Sequence, residues 1–599
     1  MMTATILQSQ SVHRLESTAY WKPVITLHDP PTTLKIPIIS SNLGYPTTSP
    51  SHEGLANQLL LPAGGYQHRA NYATNPQHPP RQQSTTLPIL GTIVATAAVT
   101  LLASEAWRGR TANRPEDAIR DVQSGSKYAD VPTMLRAVEE IKTIIRPDNV
   151  SVDADDIELH GYSEWSTSNT TARPIAVLSP ATTEEVSAIA KICTKYKVPM
   201  VPFGAGSSVE GNFAAPHSGV CIDLSRMNKV IELYDQDMNV TVQAGVRWTD
   251  LNEEIKSTGL FLPMDPSPTA YVGGMVATNC SGTNAMRYGT MKDWVVNLTV
   301  VLPDGTVIKT KRRPRKSSAG YNLNALFTGS EGTLGIITEA TLKLAIIPED
   351  SSVGIATFPT FGDATAAASK LIRDGVPLAA LEFMDDVQMK IINQNGGAGG
   401  RFWSEAPTLF LKFTGSRPAI DDSVQRTKSI LTNNKGNELV FAKSREEGDN
   451  LWSARKQSLW AMLAVRPEGT EIWSTDVAVP ISRLAEIVEL SKAESSDLGL
   501  FSTVLGHVGD GNFHQAVMYN PQSPEQYQAV KACVSRMMKR ALEMEGTVSG
   551  EHGIGLGKKA YLEEELGTPT MQLMRGLKRS VDPHWLMNPG KVFDEHYEG

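Results

Sequence analysis

Apolar positions three and four residues apart predict several helices in the middle of the chain. The clearest begins at Thr182, where an N-cap threonine is followed three residues later by Glu185 in a capping box. Its apolar face carries four residues at helical spacing: Val186, Ile189, Ala190 and Cys193. This helix is expected to end before Lys197. The same spacing predicts helices over residues 364–373 and 481–493.

A hairpin and an edge strand are predicted between these helices. Residues 294–302 and 306–310 are two β-branched runs joined at Pro303-Asp304-Gly305, which is typical of a tight connection. Residues 198–203 form a shorter apolar run that contains two prolines. Because proline lacks the N–H that a central strand needs, this run predicts a short strand at a sheet edge or with prolines at its ends.

Beyond residue 348 the pattern changes to short strands that alternate with helices. Strands are expected at residues 408–413 and 471–479, between the helical segments described above. No internal repeat is visible. This pattern predicts a separate α+β cap domain.

Three glycine-rich loops interrupt the strands of the first half. The first, residues 204–211, has the small residues that let backbone N–H groups approach an anion, although it lacks the Rossmann glycine spacing. The second, residues 265–282, leads through Gly273-Gly274 into a short helix whose N-terminus suits a pyrophosphate. The third, residues 328–338, is a tight turn that enters a β-branched strand. Together they predict one extended ligand, such as a dinucleotide held without a Rossmann fold.

Two C-terminal motifs carry histidines and a glutamate. Asp510-Gly511 predicts a type I′ turn, because both central positions of that turn need positive φ. Such a turn would place His507 directly opposite His514, with Cβ atoms about 5 Å apart. The pair can converge on a divalent ion with N–metal bonds of about 2.0–2.1 Å. Glu551 is the candidate third ligand, and His552 beside it is free to move protons.

Another interpretation of these motifs stays open at this point. A histidine pair across a hairpin can be an ordinary half-buried pair, and the glycines around it can simply mark turns. The spacing also differs from the His-Glu-x-x-His signature of zinc proteases. A metal hydrolase is therefore possible but unsupported.

Composition excludes several classes of protein. Of the 599 residues 41% are hydrophobic and 20% charged, with a net charge of −8, so no basic face for nucleic acid is expected. The four cysteines form no Cys-x-x-Cys pair and are expected to be free, buried thiols. The basic run at residues 309–316 is expected to be a solvated loop rather than a localisation signal.

The N-terminal residues differ in character from the rest. Residues 1–86 are rich in Ser, Thr, Pro, Gln and His. This composition is typical of a leader that is either a targeting segment or disordered. No charged residue occurs from Gln82 to Ser104, and three arginines follow soon afterwards. Since about 20 apolar residues cross a bilayer, residues 87–106 are predicted as a transmembrane anchor. A processed targeting segment is the alternative.

The motifs in combination resemble a known family. The three glycine-rich loops are similar to the FAD-binding domain of the vanillyl-alcohol oxidase (PCMH-type) superfamily. The two histidine motifs and residues 587–591, Met-Asn-Pro-Gly-Lys, resemble the FAD-linked oxidase C-terminal domain. The resemblance runs from about residue 173 to residue 592.

This resemblance implies an α+β fold. A PCMH-type FAD-binding domain is expected at residues 111–347, with its core at 173–347. It is followed at residues 348–500 by an α+β cap, or substrate, domain with an antiparallel sheet. Residues 501–599 form the helical C-terminal part, which carries the metal and base motifs and returns to the FAD domain.

The resemblance also assigns site residues. FAD contacts are expected from Pro202, Gly204, Ala205, Gly206, Ser207, Ser208, Gly211, Pro266, Gly273, Gly274, Ala277, Thr278, Asn279, Gly282, Glu331, Gly332, Gly335, Ile336, Ile337, Asn512 and Asn588. The first loop lacks the histidine that attaches flavin in many relatives, so FAD is expected to be non-covalent. His507, His514 and Glu551 match ligands of a divalent metal, expected to be Zn or Mn. His552 matches the catalytic base and Arg455 the arginine that binds the substrate carboxylate.

The activity implied by the resemblance is oxidation of a D-2-hydroxy acid by hydride transfer to FAD. The most similar branch oxidises D-lactate to pyruvate and passes electrons to cytochrome c at the mitochondrial inner membrane, with the catalytic part facing the intermembrane space. Related D-2-hydroxyglutarate dehydrogenases carry a lysine for the second carboxylate where Ser474 stands here. The missing charge and the nearby Trp473 favour a small monocarboxylate. D-2-hydroxyglutarate or glycolate dehydrogenase is the alternative, and a membrane-anchored metal hydrolase a distant one.

Overall fold

The computed structural model describes residues 127–595 of the chain. The predicted leader, residues 1–86, and the predicted anchor, residues 87–106, lie outside this range. Among the described residues, no helix combines the length and the apolar character needed to cross a bilayer.

The helices of the described residues are numbered here in chain order. They are α1 (Val131–Ile141), α2 (Ala154–Gly161), α3 (Thr183–Tyr196), α4 (Trp248–Ile255), α5 (Val272–Thr278), α6 (Ala285–Tyr288), α7 (Met291–Trp294), α8 (Leu323–Phe327), α9 (Phe361–Arg373), α10 (Asp386–Gln394), α11 (Arg417–Asn433), α12 (Arg445–Ala464), α13 (Leu484–Asp497), α14 (Pro524–Glu543), α15 (Lys559–Leu566) and α16 (Thr568–Val581).

The strands are numbered in the same way. They are β1 (Val150–Ser151), β2 (Ala176–Leu178), β3 (Met200–Phe203), β4 (Val220–Asp223), β5 (Val230–Tyr234), β6 (Asn239–Gln243), β7 (Leu260–Phe261), β8 (Val295–Val301), β9 (Val307–Lys309), β10 (Ile336–Lys343), β11 (Ala345–Ile346), β12 (Asp350–Thr357), β13 (Leu378–Met384), β14 (Thr408–Gly415), β15 (Asn437–Phe441), β16 (Glu471–Ser474), β17 (Val477–Ala478), β18 (Ser502–Gly506) and β19 (Asn512–Tyr519).

The first half of the described chain forms two main sheets. One has the order β1-β2-β4-β3, with β4 parallel to both neighbours, and the other has the antiparallel order β5-β6-β10-β8-β9. The strand predicted from the proline-containing run is β3, and it lies at a sheet edge as expected. The predicted hairpin is β8–β9, which turns at Gly305 with a φ of 81°.

Helix α3 forms as its sequence predicts. The Thr182 side chain accepts a hydrogen bond from the Glu185 N–H, and Lys197 ends the helix in the left-handed conformation. The predicted apolar face is fully buried, with Val186, Ile189, Ala190 and Cys193 all at 0% exposure. This face joins the core beneath the first sheet.

The second half is built on one antiparallel sheet of eight strands. Its order is β15-β12-β14-β13-β18-β19-β16, with β17 also paired to β19. One face packs against α9, α13 and α14, and the other against α10 and α12. The antiparallel α+β cap is therefore confirmed, and residues 502–519 complete the same sheet as residues 350–478.

The C-terminal segment contacts the first half of the described chain. The Met200 N–H donates to the Leu586 carbonyl at 2.7 Å, and the Asn588 N–H donates to the Met200 carbonyl at 2.7 Å. The buried Lys591 ammonium donates to the Ala214 carbonyl at 2.6 Å. These bonds attach the end of the described chain to β3 and to the loop that follows it.

Two smaller expectations also hold. All four cysteines are buried and free of disulfide bonds. Most of the basic run at residues 309–316 is exposed or half-buried, as a solvated loop requires.

Candidate active site

The two histidines of the first motif lie on the β18–β19 hairpin, but its register differs from the predicted one. Leu505, not His507, pairs with His514. The expected direct pairing of the histidines is therefore wrong by two residues. Of the two turn residues only Gly511 has a positive φ, so the turn is not type I′. The Gly509 N–H instead donates to the Leu381 carbonyl of the neighbouring strand, and a longer turn over residues 508–511 results.

The histidines nevertheless converge, as expected for a ligand pair. A shift of two residues keeps a side chain on the same face of a sheet. The ring centroids of His507 and His514 are 5.5 Å apart. Their Nε2 atoms lie 3.0 Å and 3.3 Å from the same Oε1 atom of Glu551. The ligand atoms of all three residues fall within 4.8 Å of one another, which suits a single metal ion.

The opposite ring nitrogens fix the orientation of both imidazoles. His514 Nδ1 lies 3.0 Å from the Thr475 carbonyl, and because a carbonyl only accepts, this nitrogen carries the proton. His507 Nδ1 lies 2.8 Å from Glu382 Oε1. Each Nε2 is then directed toward Glu551. Histidines that bind metals characteristically have such a carboxylate or carbonyl partner on the second nitrogen.

Opposite charges stabilise this cluster despite its burial. Burial alone would raise the pKa of Glu551, but the imidazoles of His507 and His514 hold it well below its ordinary value. Burial alone would lower the pKa of His507, but Glu382 and Glu551 raise it well above its ordinary value. The carboxylate is therefore ionised, as a metal ligand must be.

His552 has the properties of a proton acceptor. Its ring stacks on His514 with centroids 4.9 Å apart and an interplanar angle of 12°. Burial lowers the pKa of His552 to about 4, so the ring is neutral near pH 7. Its Nδ1 atom is buried without a hydrogen-bond partner among the described residues. A neutral imidazole with an unused ring nitrogen can take a proton from a bound ligand.

Asp476 holds the loop that carries Glu551 and His552, and the sequence analysis missed this role. Its Oδ2 atom accepts hydrogen bonds from the backbone N–H groups of Glu551 (2.9 Å) and His552 (2.8 Å) and from the Ser549 hydroxyl (2.9 Å). The side chain is fully buried. An acidic residue directly before the apolar run Val477-Ala478-Val479 was the available signal. Asp476, His514 and His552 form a second possible metal trio, but the Asp476 oxygens are already occupied by donors.

Asn512 was expected near the cofactor or substrate. Its Nδ2 donates to Asp476 Oδ1 at 2.8 Å and to the Val477 carbonyl at 3.0 Å. Its Oδ1 is buried and has no hydrogen-bond partner within residues 127–595. A buried acceptor without a partner is costly in a folded protein, so this atom fits contact with a bound ligand.

Arg455 lies on α12 and joins the cluster through a second missed residue. Its Nε and Nη2 atoms each lie 3.0 Å from Oε2 of Glu382, whose other oxygen contacts His507. Glu382 therefore links the expected carboxylate-binding arginine to the expected metal ligands. A lone carboxylate inside the apolar strand β13 was the signal for its importance.

The three glycine-rich loops contact one another. The Gly329 N–H donates to the Val276 carbonyl at 3.0 Å, and the Glu331 N–H to the Ala277 carbonyl at 2.8 Å, which joins the third loop to the second. An added Cβ on Gly332 would lie 3.2 Å from Pro202, which places the third loop beside the first. The predicted meeting of these loops is therefore found in the structure.

The second loop also reaches the histidine cluster. The Ser281 hydroxyl donates to Glu551 Oε2 at 2.6 Å. On the third loop, Glu331 accepts from the N–H groups of Ile554 and Gly555, each at 2.7 Å. The candidate cofactor loops and the candidate metal site thus share a boundary.

The glycines assigned to FAD binding divide into two groups. Gly274 has no atom within 4 Å of an added Cβ, and Gly204 meets only Tyr271 at 3.8 Å. These positions border open space, which fits close approach of a ligand to the backbone. At Gly211, Gly273 and Gly335 an added Cβ would instead collide with the protein itself.

Other residues assigned to FAD binding have their side chains occupied by the protein. The Asn588 amide donates to the carbonyls of Asn212 and Glu331 at 3.0 Å and 2.8 Å. Ile336 and Ile337 are buried in β10. The side chains of Glu331 and Asn588 therefore stabilise the loops, and any FAD contact from them is expected to come from the backbone.

A matched pair of substitutions tests the cofactor cradle. Gly274→Val is expected to weaken FAD binding at least about tenfold, since the new side chain fills the open space, while the apoprotein keeps its stability to within about 1 kcal/mol. Gly273→Ala is expected to destabilise the apoprotein by about 1–3 kcal/mol, because its Cβ would lie 2.7 Å from that of Ala244. Flavin fluorescence titration and thermal unfolding measure the two effects. Normal FAD affinity in Gly274→Val would exclude this part of α5 from the cradle.

Comparison with known proteins identifies the family. The model described as "FAD binding domain" matches residues 174–311, and the model described as "FAD linked oxidases, C-terminal domain" matches residues 347–592. The chain is 44% identical over 479 residues to "D-lactate dehydrogenase [cytochrome], mitochondrial" of Kluyveromyces lactis, covering 78% of this chain and 82% of that protein. The chain belongs to the FAD-linked oxidases.

Two further comparisons agree with this assignment. An Arabidopsis thaliana FAD-linked oxidase with the same name is 44% identical over 481 residues, covering 80% of this chain and 83% of that protein. The structure of 4-ethylphenol oxidase from Gulosibacter chungangensis superposes with a TM-score of 0.63 at 17% identity, over 78% and 98% of the two chains. This likeness shows the fold, and the predicted FAD-binding domain with its antiparallel cap is confirmed. FAD is the cofactor that the domain match supports, whereas the divalent metal stays a prediction.

Proposed function

We propose that this FAD-linked oxidase oxidises D-lactate to pyruvate. The observation that carries the proposal is the contact between Ser281 and Glu551 at 2.6 Å, which joins a flavin-binding loop to the histidine cluster. A 2-hydroxy acid bound at the boundary between the flavin-binding loop and the histidine cluster would have its C2 carbon near a hydride acceptor and its hydroxyl near a base. A hydrolase would need no flavin loops at this position.

Two bound groups complete the site in this proposal. FAD, held non-covalently by the three glycine-rich loops, supplies the hydride acceptor. A divalent ion, Zn or Mn, is held by His507, His514 and Glu551 and supplies a Lewis acid for the substrate. The donor set suits such an ion, since it combines two imidazole nitrogens with one ionised carboxylate.

The chain's own residues supply proton transfer and orientation. His552 accepts the proton of the substrate hydroxyl as the hydride leaves C2, because it is neutral and its Nδ1 is unused. Arg455 binds the carboxylate through the part of its guanidinium that Glu382 leaves free. Asp476 keeps His552 in place through the backbone.

Ser474 supports a small monocarboxylate as the substrate. It is half-buried on β16, opposite Ala516 and on the face that carries His514. As an uncharged residue, Ser474 provides no positive charge for a second carboxylate at this strand position. Trp473 points to the other face, where it packs against Tyr519 and Tyr527. Trp473 is therefore no longer expected to favour a small substrate.

The proposed electron acceptor and cellular location are supported by the names of the relatives. The Kluyveromyces lactis and Arabidopsis thaliana proteins are both named as mitochondrial and as cytochrome-linked. We therefore propose cytochrome c as the acceptor. The proposed location is the inner membrane, with residues 87–106 as the anchor and the catalytic part in the intermembrane space.

Steady-state reduction of cytochrome c tests the proposal. The purified full-length chain is supplied in turn with D-lactate, L-lactate, D-2-hydroxyglutarate and glycolate. D-lactate is expected to give the highest kcat/KM, and L-lactate little or no reduction. A higher kcat/KM for D-2-hydroxyglutarate or glycolate would replace the proposed substrate, and reduction by none of the four would overturn the proposed activity.

A further inference from the structure

Lys412 is a cation whose charge the surrounding protein does not neutralise by contact. It lies on β14, where it pairs with Ala380 of β13 while Phe410 pairs with Glu382. Residues two apart on a strand share a face, so Lys412 projects from the same face as Glu382. Its ammonium lies 5.4 Å from the ring centroid of Trp452, which precedes Arg455 by one helical turn. Lys412 therefore lies on the same face of the sheet as the Glu382–Arg455 pair.

The three fully buried lysines of the described chain show what is unusual about Lys412. Lys558 lies 3.1 Å from Glu210 Oε1, Lys578 donates to the Met587 carbonyl at 2.8 Å, and Lys591 donates to the Ala214 carbonyl at 2.6 Å. Within residues 127–595, the half-buried Lys412 has no hydrogen bond or ion pair. Burial lowers the pKa of Lys412, and the carboxylate of Asp265 acts in the opposite direction.

Three carboxylates, Asp265, Asp449 and Glu382, act on Lys412 electrostatically. Asp265 accepts from the Thr283 hydroxyl at 2.6 Å and from the Asn284 N–H at 3.0 Å. Glu382 uses one oxygen for His507 and the other for Arg455, and Asp449 is exposed on α12. Among the described residues, none of the three forms a hydrogen bond or an ion pair with Lys412. A partly buried ammonium with three unused donors is therefore left for an anion that enters from outside the protein.

The charge balance of the site points to the same conclusion. Arg455 is expected to bind the substrate carboxylate, yet its positive charge is already paired with Glu382 at 3.0 Å. One charge-paired arginine attracts an anion weakly. Lys412 supplies the positive charge that this wall of the site otherwise lacks, and Asp265, beside it, belongs to the second flavin loop.

We infer that Lys412 is a second carboxylate-binding residue, which holds the carboxylate of the 2-hydroxy-acid substrate together with Arg455. This inference rests on the proposed function, because it takes its ligand to be the carboxylate end of that substrate. Lys412 on β14 and Arg455 on α12 would then both recognise the negative charge of the substrate. The hydroxyl end of the substrate is left to the histidine cluster.

The test compares Lys412→Met with the matched control Lys531→Met. Lys531 is an exposed lysine on α14, which packs on the opposite face of the sheet, and the two variants change net charge equally. Anaerobic stopped-flow reduction of the bound flavin by D-lactate separates half-saturation from the limiting rate. Lys412→Met is expected to raise the half-saturating concentration about 10- to 100-fold with little change in the limiting rate, the loss typical of one charged hydrogen bond. Lys531→Met is expected to match the parent, and Lys412→Arg to recover most of the loss.

Oxalate and D-lactamide distinguish charge recognition from a structural effect. Lys412→Met is expected to weaken competition by the anion oxalate by a similar factor and to leave competition by uncharged D-lactamide unchanged. Equal loss for both competitors, or a lowered limiting rate with unchanged half-saturation, would overturn the inference. If D-lactate fails to reduce even the parent, the proposed function fails. The inference is then decided by whether oxalate still perturbs the flavin spectrum in a manner that depends on Lys412.

Discussion

His552→Ala is expected to lower kcat for D-lactate by about 10²- to 10⁴-fold while FAD stays bound. The reason is that Nδ1 of His552 is buried without a hydrogen-bond partner among the described residues, beside the proposed substrate position. Because burial lowers the pKa of His552 to about 4, the ring is already deprotonated at neutral pH. Stopped-flow flavin reduction measures the rate, and the flavin spectrum measures occupancy.

The pH dependence of the parent provides a second readout of the same base. A base acts in its deprotonated form, so kcat/KM is expected to be level from roughly pH 5.5 to 8 and to fall as the pH decreases toward the pKa of His552. A bound cation would shift that fall to still lower pH. His584→Ala is the control, since His584 is exposed and distant in sequence from the cluster. Parent-like flavin reduction in His552→Ala would show that another group takes the proton.

Removal of the proposed divalent ion is expected to lower turnover by about 10³-fold or more, because a Lewis acid contributes several kcal/mol to stabilisation of developing charge. Chelation followed by addition of Zn or Mn tests this directly. Glu551→Gln is expected to give the same loss with low metal content, since Glu551 contacts both His507 and His514. FAD binding is expected to persist in each case.

Glu564→Gln serves as the control for the carboxylate, because Glu564 is exposed on α15. Metal content is measured by atomic absorption on the same samples. Full turnover in a sample whose metal content is far below one ion per chain would exclude the metal from the mechanism. Loss of FAD together with the metal would instead indicate that Glu551 stabilises the flavin loops through Ser281.

The site residues could be predicted from sequence where the pattern is local. The two histidine motifs and the three glycine-rich loops are continuous segments, and the structure brings all of them together. The hairpin register could not be predicted, because it depends on a hydrogen bond between Gly509 and Leu381, which are distant in sequence. Asp510-Gly511 favours one turn locally, and the neighbouring strand selects another.

Asp476 and Glu382 show a second limit of sequence reasoning. Glu382 lies inside the apolar strand β13, and Asp476 lies between the short strands β16 and β17. Both side chains are buried, which is costly unless the charge is paired. Their partners lie far away in the chain: Asp476 binds the backbone of His552, and Glu382 binds His507. Without those contacts, a buried acid in a strand cannot be assigned a partner. Lys412 was also missed, because its place on the same face as Glu382 depends on the pairing of β14 with β13.

The most direct test of the central claim is anaerobic mixing of the flavin-loaded chain with D-lactate in the absence of any acceptor. We expect rapid loss of the visible flavin absorbance, formation of one pyruvate per flavin, and a slower rate when the hydrogen on C2 is replaced by deuterium. L-lactate is expected to leave the flavin oxidised. Flavin that stays oxidised with D-lactate, in a sample shown to contain both FAD and the divalent ion, would contradict the account.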